Sequence, residues 1–214
     1  CSESASITRR VLTATFAFIA VSAGAMPQHQ SGAHGAAGHD MAKMHSMDSM
    51  HKSSPNAVKA PYEQQFLDTM AMHHQMAMHM ASLVDSRTDS QHLKDMAKKM
   101  MAEQEKEIAQ LKGWKEQWYA GKPEAINMKM PGMPESMKGM SSEKLTSAKG
   151  EQFDRQFVDM MTQHHKGAIK MAQTAAPKLQ HAEVKEFANK LVETQKKEVA
   201  HMAEMKKSWA TPKK

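Results

Sequence analysis

Met70-Ala71-Met72-His73-His74-Gln75-Met76-Ala77-Met78-His79-Met80-Ala81 is echoed 91 residues later by Met161-Thr162-Gln163-His164-His165-Lys166-Gly167-Ala168-Ile169-Lys170-Met171-Ala172. Both copies fit one frame, Phe-x-Asp-x-Met-x-x-His-His-x-x-Ala-x-x-Met-Ala, beginning at Phe66 and Phe157. Without a gap, the same offset pairs Ala97 with Ala188, Gln104 with Gln195, Glu107 with Glu198 and Ile108 with Val199. An apolar period recurs by chance, but a histidine doublet with its flanks and a distant Gln-x-x-Glu does not. The chain reads as the internal duplication of a helix pair.

Helical geometry says where the doublets go. At roughly 100° per residue, Phe66, Met70, His73, Ala77, Met80 and Ala81 fall on one stripe, with His74 at its edge. On the partner segment Leu93, Ala97, Met100, Gln104, Ile108 and Leu111 share a stripe, and Glu107 lies beside it. Gln104 therefore sits mid-face among apolar residues, where an unpaired amide costs roughly 1–3 kcal/mol. A partner for it is expected.

The punctuation predicts four helices. The first runs from about Tyr62 to Val84, followed by a turn over Asp85 to Asp89, and the second from an Asp89 or Ser90 cap to about Tyr119, before Gly121 and Pro123. The third spans about Gly150 to Thr174, ahead of Pro177, and the fourth about His181 to Trp209. The expected fold is all-α, an antiparallel four-helix bundle of two hairpins. Repeat 1 covers residues 61–119 and repeat 2 residues 150–210, with a connection over 120–149.

That connection carries Met128-Lys129-Met130-Pro131-Gly132-Met133-Pro134, then Met137 and Met140, among Pro, Gly and Lys that do not continue a helix. Two readings stand: thioethers of Met128, Met130 and Met133 free to hold Cu(I) in linear or trigonal geometry, or adaptable fillers covering the end of the bundle.

Ahead of the bundle, residues 1–25 have the form of a cleavable export signal: Arg9-Arg10, an apolar run from Val11 to Val21, and Ala23-Gly24-Ala25 before Met26. The run falls short of the roughly 20 residues a membrane span needs, so no span is expected in the mature protein and a periplasmic or secreted location is. Cleavage would remove Cys1, the single cysteine, leaving no disulfide or thiolate site. Residues 26–60 are polar and Gly/Ala/Ser-rich with no hydrophobic period; they are expected to be a disordered metal-capturing tail, with His29, His34, His39, His45 and His51 interleaved with Met41, Met44, Met47 and Met50.

The formal charge of +6 is interleaved with acidic residues on the helix faces, as in Lys98-Lys99 ahead of Glu103, Glu105 and Glu107, and aromatics make up 5%. That is a solvated surface, not a nucleic-acid footprint. The 23 Met and 13 His are instead the soft and borderline donors that remain once cysteine is gone.

Copper follows from the donors. Neutral imidazole suits Cu(II), and thioether selects Cu(I). Each doublet has Met at i−3 and i+7 from its first histidine, namely Met70 and Met80 in one copy and Met161 and Met171 in the other. The expected ligands are Met70, His73, His74, Met80, Met161, His164, His165 and Met171, with Gln104, Glu107, Gln195 and Glu198 holding the imidazole tautomers. Copper(II) on histidine should be released as pH falls through about 6.5, and Cu(I) on thioether retained. A di-iron oxidase or iron store is the rival. Its Glu-x-x-His motif is missing, because Met70, Ala71, Met161 and Thr162 stand where the glutamates belong. A metal-independent envelope interaction protein is a third reading, against which the Met128 to Met140 cluster and the His29 to His51 tail both count.

From Met133-Pro134 the chain continues through Leu145, Gly150-x-x-Phe153-Asp154-x-x-Phe157, Met161-x-x-His164-His165 and Gly167-Ala168-Ile169-x-Met171-Ala172. This resembles the DUF305 family, exported bacterial helical proteins with a ferritin-like bundle, some members of which are linked to copper binding and tolerance. The resemblance covers about residues 62 to 209. It implies the same doublet and Gln-x-x-Glu positions as functional in both halves, with copper ions, and other copper-handling proteins of the envelope, as partners. The first copy departs from it: Met76-Ala77-Met78 replaces Gly-Ala-Ile, Leu111 stands opposite Met202, and His79 is added.

Overall fold

The computed structural model describes residues 52–210. The expected signal segment and the tail histidines and methionines, His45 and His51 among them, lie outside the described residues. Among these the chain is all-helical, and no helix is long and apolar enough to cross a membrane.

The four long helices are α1 (Tyr62–Ser82), α3 (Gln91–Tyr119), α6 (Gly150–Ala175) and α7 (Ala182–Ala210). A short helix, α2 (Val84–Arg87), occupies part of the expected turn after α1. Ser90 then caps α3, its hydroxyl accepting from the Leu93 amide at 3.3 Å, which satisfies one of the orphan donors of the first turn. Helix α1 packs on α3, α6 on α7, and α1 on α6.

Two segments differ from the expected boundaries. Residues 52–60, read from composition as the end of a disordered tail, include a 3-10 turn at Ala57–Lys59 with Ala57 buried. They are tied to the connection: Ser54 N donates to Ile126 O at 2.8 Å, and the Met128 amide donates to Ser53 Oγ at 3.0 Å. Pairing with a segment over 70 residues away is invisible to local composition. The connection itself is not free of helix either, since it contains α4 (Met133–Met137) and α5 (Ser142–Ser147).

The first part of the connection straps α1. Gln64 Nε2 donates to Pro123 O at 2.7 Å, and the Ala125 and Asn127 amides donate to Asp68 and Thr69 at 2.8 and 2.9 Å. Helix α1 is thus buried on faces that its amphipathic pattern assigned to water. Met130 and Met133 are buried in the core, and Met128, Met137 and Met140 pack against it. Met130 and Met133 are thus packed, as the second reading of these methionines has it, and Met128 is half-buried at the edge of the core.

A buried carboxylate fixes one end. Glu63 accepts from the Gln180 and His181 amides at 2.6 and 2.9 Å, from His181 Nδ1 at 2.5 Å and from Tyr119 OH at 3.1 Å. The His181 ring stacks on Trp118 at 3.6 Å. One side chain of α1 therefore joins the end of α3 to the start of α7.

Candidate metal centre

The apolar core is two clusters, and each long helix passes from one to the other. The first gathers Phe66, Met70, Leu111, Met171, Phe187 and Leu191; the second gathers Met80, Met100, Phe153, Phe157, Met161 and Met202. Between them every helix contributes polar residues: His73 and His74 on α1, Gln104 and Glu107 on α3, His164 and His165 on α6, Gln195 and Glu198 on α7. All four imidazoles and both glutamines are buried. The duplication thus builds a polar layer across the middle of the core, with Met70 and Met171 in the cluster on one side and Met80 and Met161 in the other.

At its outer pairs the layer repeats the Glu–His proximity, although only His74 hydrogen-bonds its glutamate. His74 Nε2 lies 2.7 Å from Glu107 Oε2, and His165 Nε2 lies 2.9 Å from Glu198 Oε2. Each imidazole is fully buried while its glutamate is about one-quarter exposed, at 25% and 26%. At the centre the symmetry breaks. His73 and His164 stack with ring centroids 3.6 Å apart, but only His73 has a partner, Ser136 Oγ at 2.8 Å.

Ser136 comes from α4, which lies on α6. Its hydroxyl donates to Gly132 O at 3.0 Å, with His164 O at 3.3 Å. Gly167 makes the approach possible: a Cβ there would overlap Ser136 Oγ and the Gly132 carbonyl oxygen. Gly132 adopts φ 100°, a conformation favouring glycine, and its own Cβ would overlap the Gly167 carbonyl oxygen. The Lys170–Glu135 ion pair and the 3.0 Å bond from Gln163 Nε2 to Glu135 O hold α4 in place. At the position equivalent to Gly167 the first half has Met76, which is buried in the core, so the two halves are not interchangeable.

The partners select the tautomers. With the Ser136 proton directed to a carbonyl, its oxygen accepts from His73 Nε2–H, and Glu107 likewise accepts from His74 Nε2–H; Glu198 stands beside His165 Nε2 at ion-pair distance without a hydrogen bond. Nδ1 of His73 and His74 is then a bare lone pair. Among the described residues both of these Nδ1 atoms are buried without a hydrogen-bond partner, as are both ring nitrogens of His164 and of His165 and Oε1 of Gln104 and Gln195. Among the described residues, the partner expected for Gln104 Oε1 is therefore not found. Burial, and then the neighbouring imidazoles, hold His73 and His164 well below the ordinary histidine value. Both are neutral at physiological pH, the form that binds metal.

Among the described residues no three His, Cys, Asp or Glu side chains converge in a geometry to hold an ion. A donor set drawn from this layer would have to combine imidazole nitrogen with thioether sulfur, which favours a soft ion of low coordination number. Met70, Met80, Met161 and Met171, all buried, are the sulfurs on its flanks. Sequence reasoning missed Ser136, which no periodicity marks, and the buried role of Glu63.

No curated protein matches the chain by sequence. Among solved structures, a DUF305 protein of Streptomyces coelicolor, described as a candidate secreted protein, is 26% identical with a TM-score of 0.59, covering 67% of this chain and 91% of that one. CopM in its Cu(I)-bound form is 26% identical with a TM-score of 0.59, covering 70% and 98%; CopM has also been solved with Cu(II) and with Ag. A DUF305 fragment of Deinococcus radiodurans is 26% identical with a TM-score of 0.59, covering 68% and 95%. The family profile described as "Domain of unknown function (DUF305)" matches residues 63–206, two-thirds of the sequence and all four long helices, and the chain belongs to the DUF305 family.

Proposed function

We propose that this is an exported copper-binding protein that sequesters or ferries Cu(I) and Cu(II) and performs no turnover, contributing to copper homeostasis or tolerance. The observation that carries the reading is the buried histidine layer, in which ring nitrogens of His73, His74, His164 and His165 have no hydrogen-bond partner among the described residues and lie between two methionine-bearing clusters. Orphaned acceptors of this kind cost roughly 1–3 kcal/mol each, and a bound cation relieves that cost. The copper- and silver-bound forms of CopM support the same choice of ion.

The four long helices are taken as an antiparallel bundle of ferritin-like type, with the copper chemistry at its waist. Glu107 and Glu198 fix the outer imidazoles and are not ligands of a di-iron pair. Export would place the protein among other copper-handling proteins of the envelope, with which it exchanges its cargo.

Anaerobic titration with Cu(I), and aerobic titration with Cu(II), Zn(II) and Fe(II), tests the reading alongside metal analysis of protein isolated from its own cells. Tight copper uptake that the His164→Ala/His165→Ala variant loses while staying folded is the expected result. Refusal of copper in both oxidation states overturns the proposal, and bound iron with dioxygen consumption replaces it with an oxidase.

A further inference from the structure

The polar layer opens to the surface on one side. A cleft of about 450 Å³ lies between α3 and α7, lined by His92, Met96, Met100, His201 and Met202, with exposed Asp95, Lys99 and Lys197 also on its lining, and reaching His165 and Glu198. His92 and His201 are exposed at its rim, with ring centroids 5.0 Å apart. None of these five belongs to the histidine doublets or to the pairs that support them.

The residues are graded from water inward. On α3, His92, Met96, Met100 and Gln104 recur every four residues along one stripe, each step advancing roughly 6 Å. Burial rises along it, from exposed His92 through half-buried Met96 to Met100 and Gln104, each 4% exposed. On α7, exposed His201 and buried Met202 stand one turn from Glu198, which holds His165. Imidazole at the rim and thioether within form a ladder that ends in the histidine layer.

The repeat supplies an internal control. At an offset of 91, His92, Met96 and Met100 correspond to Glu183, Phe187 and Leu191, and His201 and Met202 to Gln110 and Leu111. At that end Phe187 packs edge-on against Trp114 at 5.5 Å, and Leu111 and Leu191 are core residues. Packing alone is therefore met there by aromatic and aliphatic side chains. Only one of two related positions carries soft donors, and it is lined as an open cleft.

Building on the copper reading, we infer that this cleft is a capture site for Cu(I) or Ag(I), formed by His92, Met96, Met100, His201 and Met202 and standing over the buried His165. Thioethers select the soft monovalent ion over Zn(II). The exposed rings turn between rotamers on the nanosecond scale, so the rim closes on an ion without moving the helices.

The test is Ag(I) titration of protein carrying 13C-methyl methionine, followed by NMR together with the histidine ring resonances. Methyls of Met96, Met100 and Met202 should shift with the rings of His92 and His201. In His92→Ala/His201→Ala, whose changed positions are exposed, the same methyl shifts should need at least tenfold more Ag(I). Unmoved Met96, Met100 and Met202 methyls while the buried histidines respond, or unchanged affinity in the double variant, removes the capture site and leaves the copper reading intact. No response from any methionine or histidine, repeated with Cu(I), removes both.

Discussion

His73 and His164 occupy equivalent positions in the two repeats and stack on each other at the centre of the core, yet only His73 has a hydrogen-bond partner. A symmetric gene duplication has thus produced an asymmetric site. The asymmetry comes from the connection, because Ser136 reaches only one of the two rings. Both rings nevertheless share the burial that sets the acid response of the metal-free protein.

Burial, then neighbouring imidazoles, depress both values well below 6.5. The unfolded chain therefore takes up two protons that the folded core refuses, over the window from about 6.5 down to the folded values. The contribution is fully present above 6.5 and is lost as pH falls, at about 1.4 kcal/mol per unit for each histidine and about 2.7 kcal/mol for the two. The groups around them are His74 and His165, Glu107 and Glu198 beyond, and Ser136. Urea unfolding of metal-free protein between pH 8 and 5 should show this slope, and a flat profile rejects it. The release of Cu(II) near pH 6.5 expected of ordinary imidazoles should move lower for copper on His73 or His164.

Glu63 governs a different region. Burial opposes its charge, but the bonds from His181, Gln180 and Tyr119 outweigh burial and hold its carboxyl below the ordinary value. Tyr119 is correspondingly pushed up to about 12, by burial and by Glu63. Stability from Glu63 is present above the unfolded carboxyl value and is lost as pH falls through the folded one. Glu63→Gln should cost about 3 kcal/mol in denaturant unfolding, from weakened charge-assisted bonds. Glu63 lies ten residues from His73 on one helix, about 15 Å away, so copper stoichiometry should be unchanged. A loss of bound copper in the folded variant would contradict the separation.

Gly167 is the seat of α4. Gly167→Ala should destabilise by about 1–3 kcal/mol, the usual cost of overpacking, by driving Ser136 away from α6. Ser136→Ala should cost less, about 1 kcal/mol, while freeing the His73 tautomer. In 15N spectra of the metal-free protein the His73 ring should change protonation pattern in both variants, and the His74 ring in neither. An unchanged His73 pattern in Ser136→Ala would show that the serine does not set it.

The repeat, the four long helices and the burial of both doublets were legible because each rests on local periodicity and a fixed offset. That Glu107 and Glu198 would stand near the doublets was suggested by Gln-x-x-Glu lying beside the apolar stripe, but not which histidine each would meet. What the sequence hid is non-local. Ser53 and Ser54 pair with residues near 126, Asn127 bonds Thr69, and Ser136 meets His73 across 63 positions. Composition left the packing of the Met128 to Met140 segment open because it has no period, and a strap folded over a helix needs none.

The two Glu–His pairs offer the sharpest check of the copper reading, because the structure makes them nearly alike and their surroundings different. Glu107 accepts from His74 Nε2–H and leaves Nδ1 bare, and Glu198 lies 2.9 Å from His165 Nε2, its charge beside a ring that no hydrogen bond fixes. Glu107→Gln and Glu198→Gln keep shape but lose the charge that favours this tautomer, and outer partners of this type typically alter metal affinity 10–100-fold. Both substitutions should weaken Cu(II) binding by a factor in that range, read by competition with a chelator of known affinity. Only Glu198 lines the α3–α7 cleft with Met100 and Met202, whereas the equivalents near Glu107 are Leu191 and Leu111. Glu198→Gln should therefore also slow Cu(I) loading in stopped flow, and Glu107→Gln should not. If neither variant changes Cu(II) affinity while both remain folded, the carboxylates are braces of the core and the imidazoles beside them are not copper ligands.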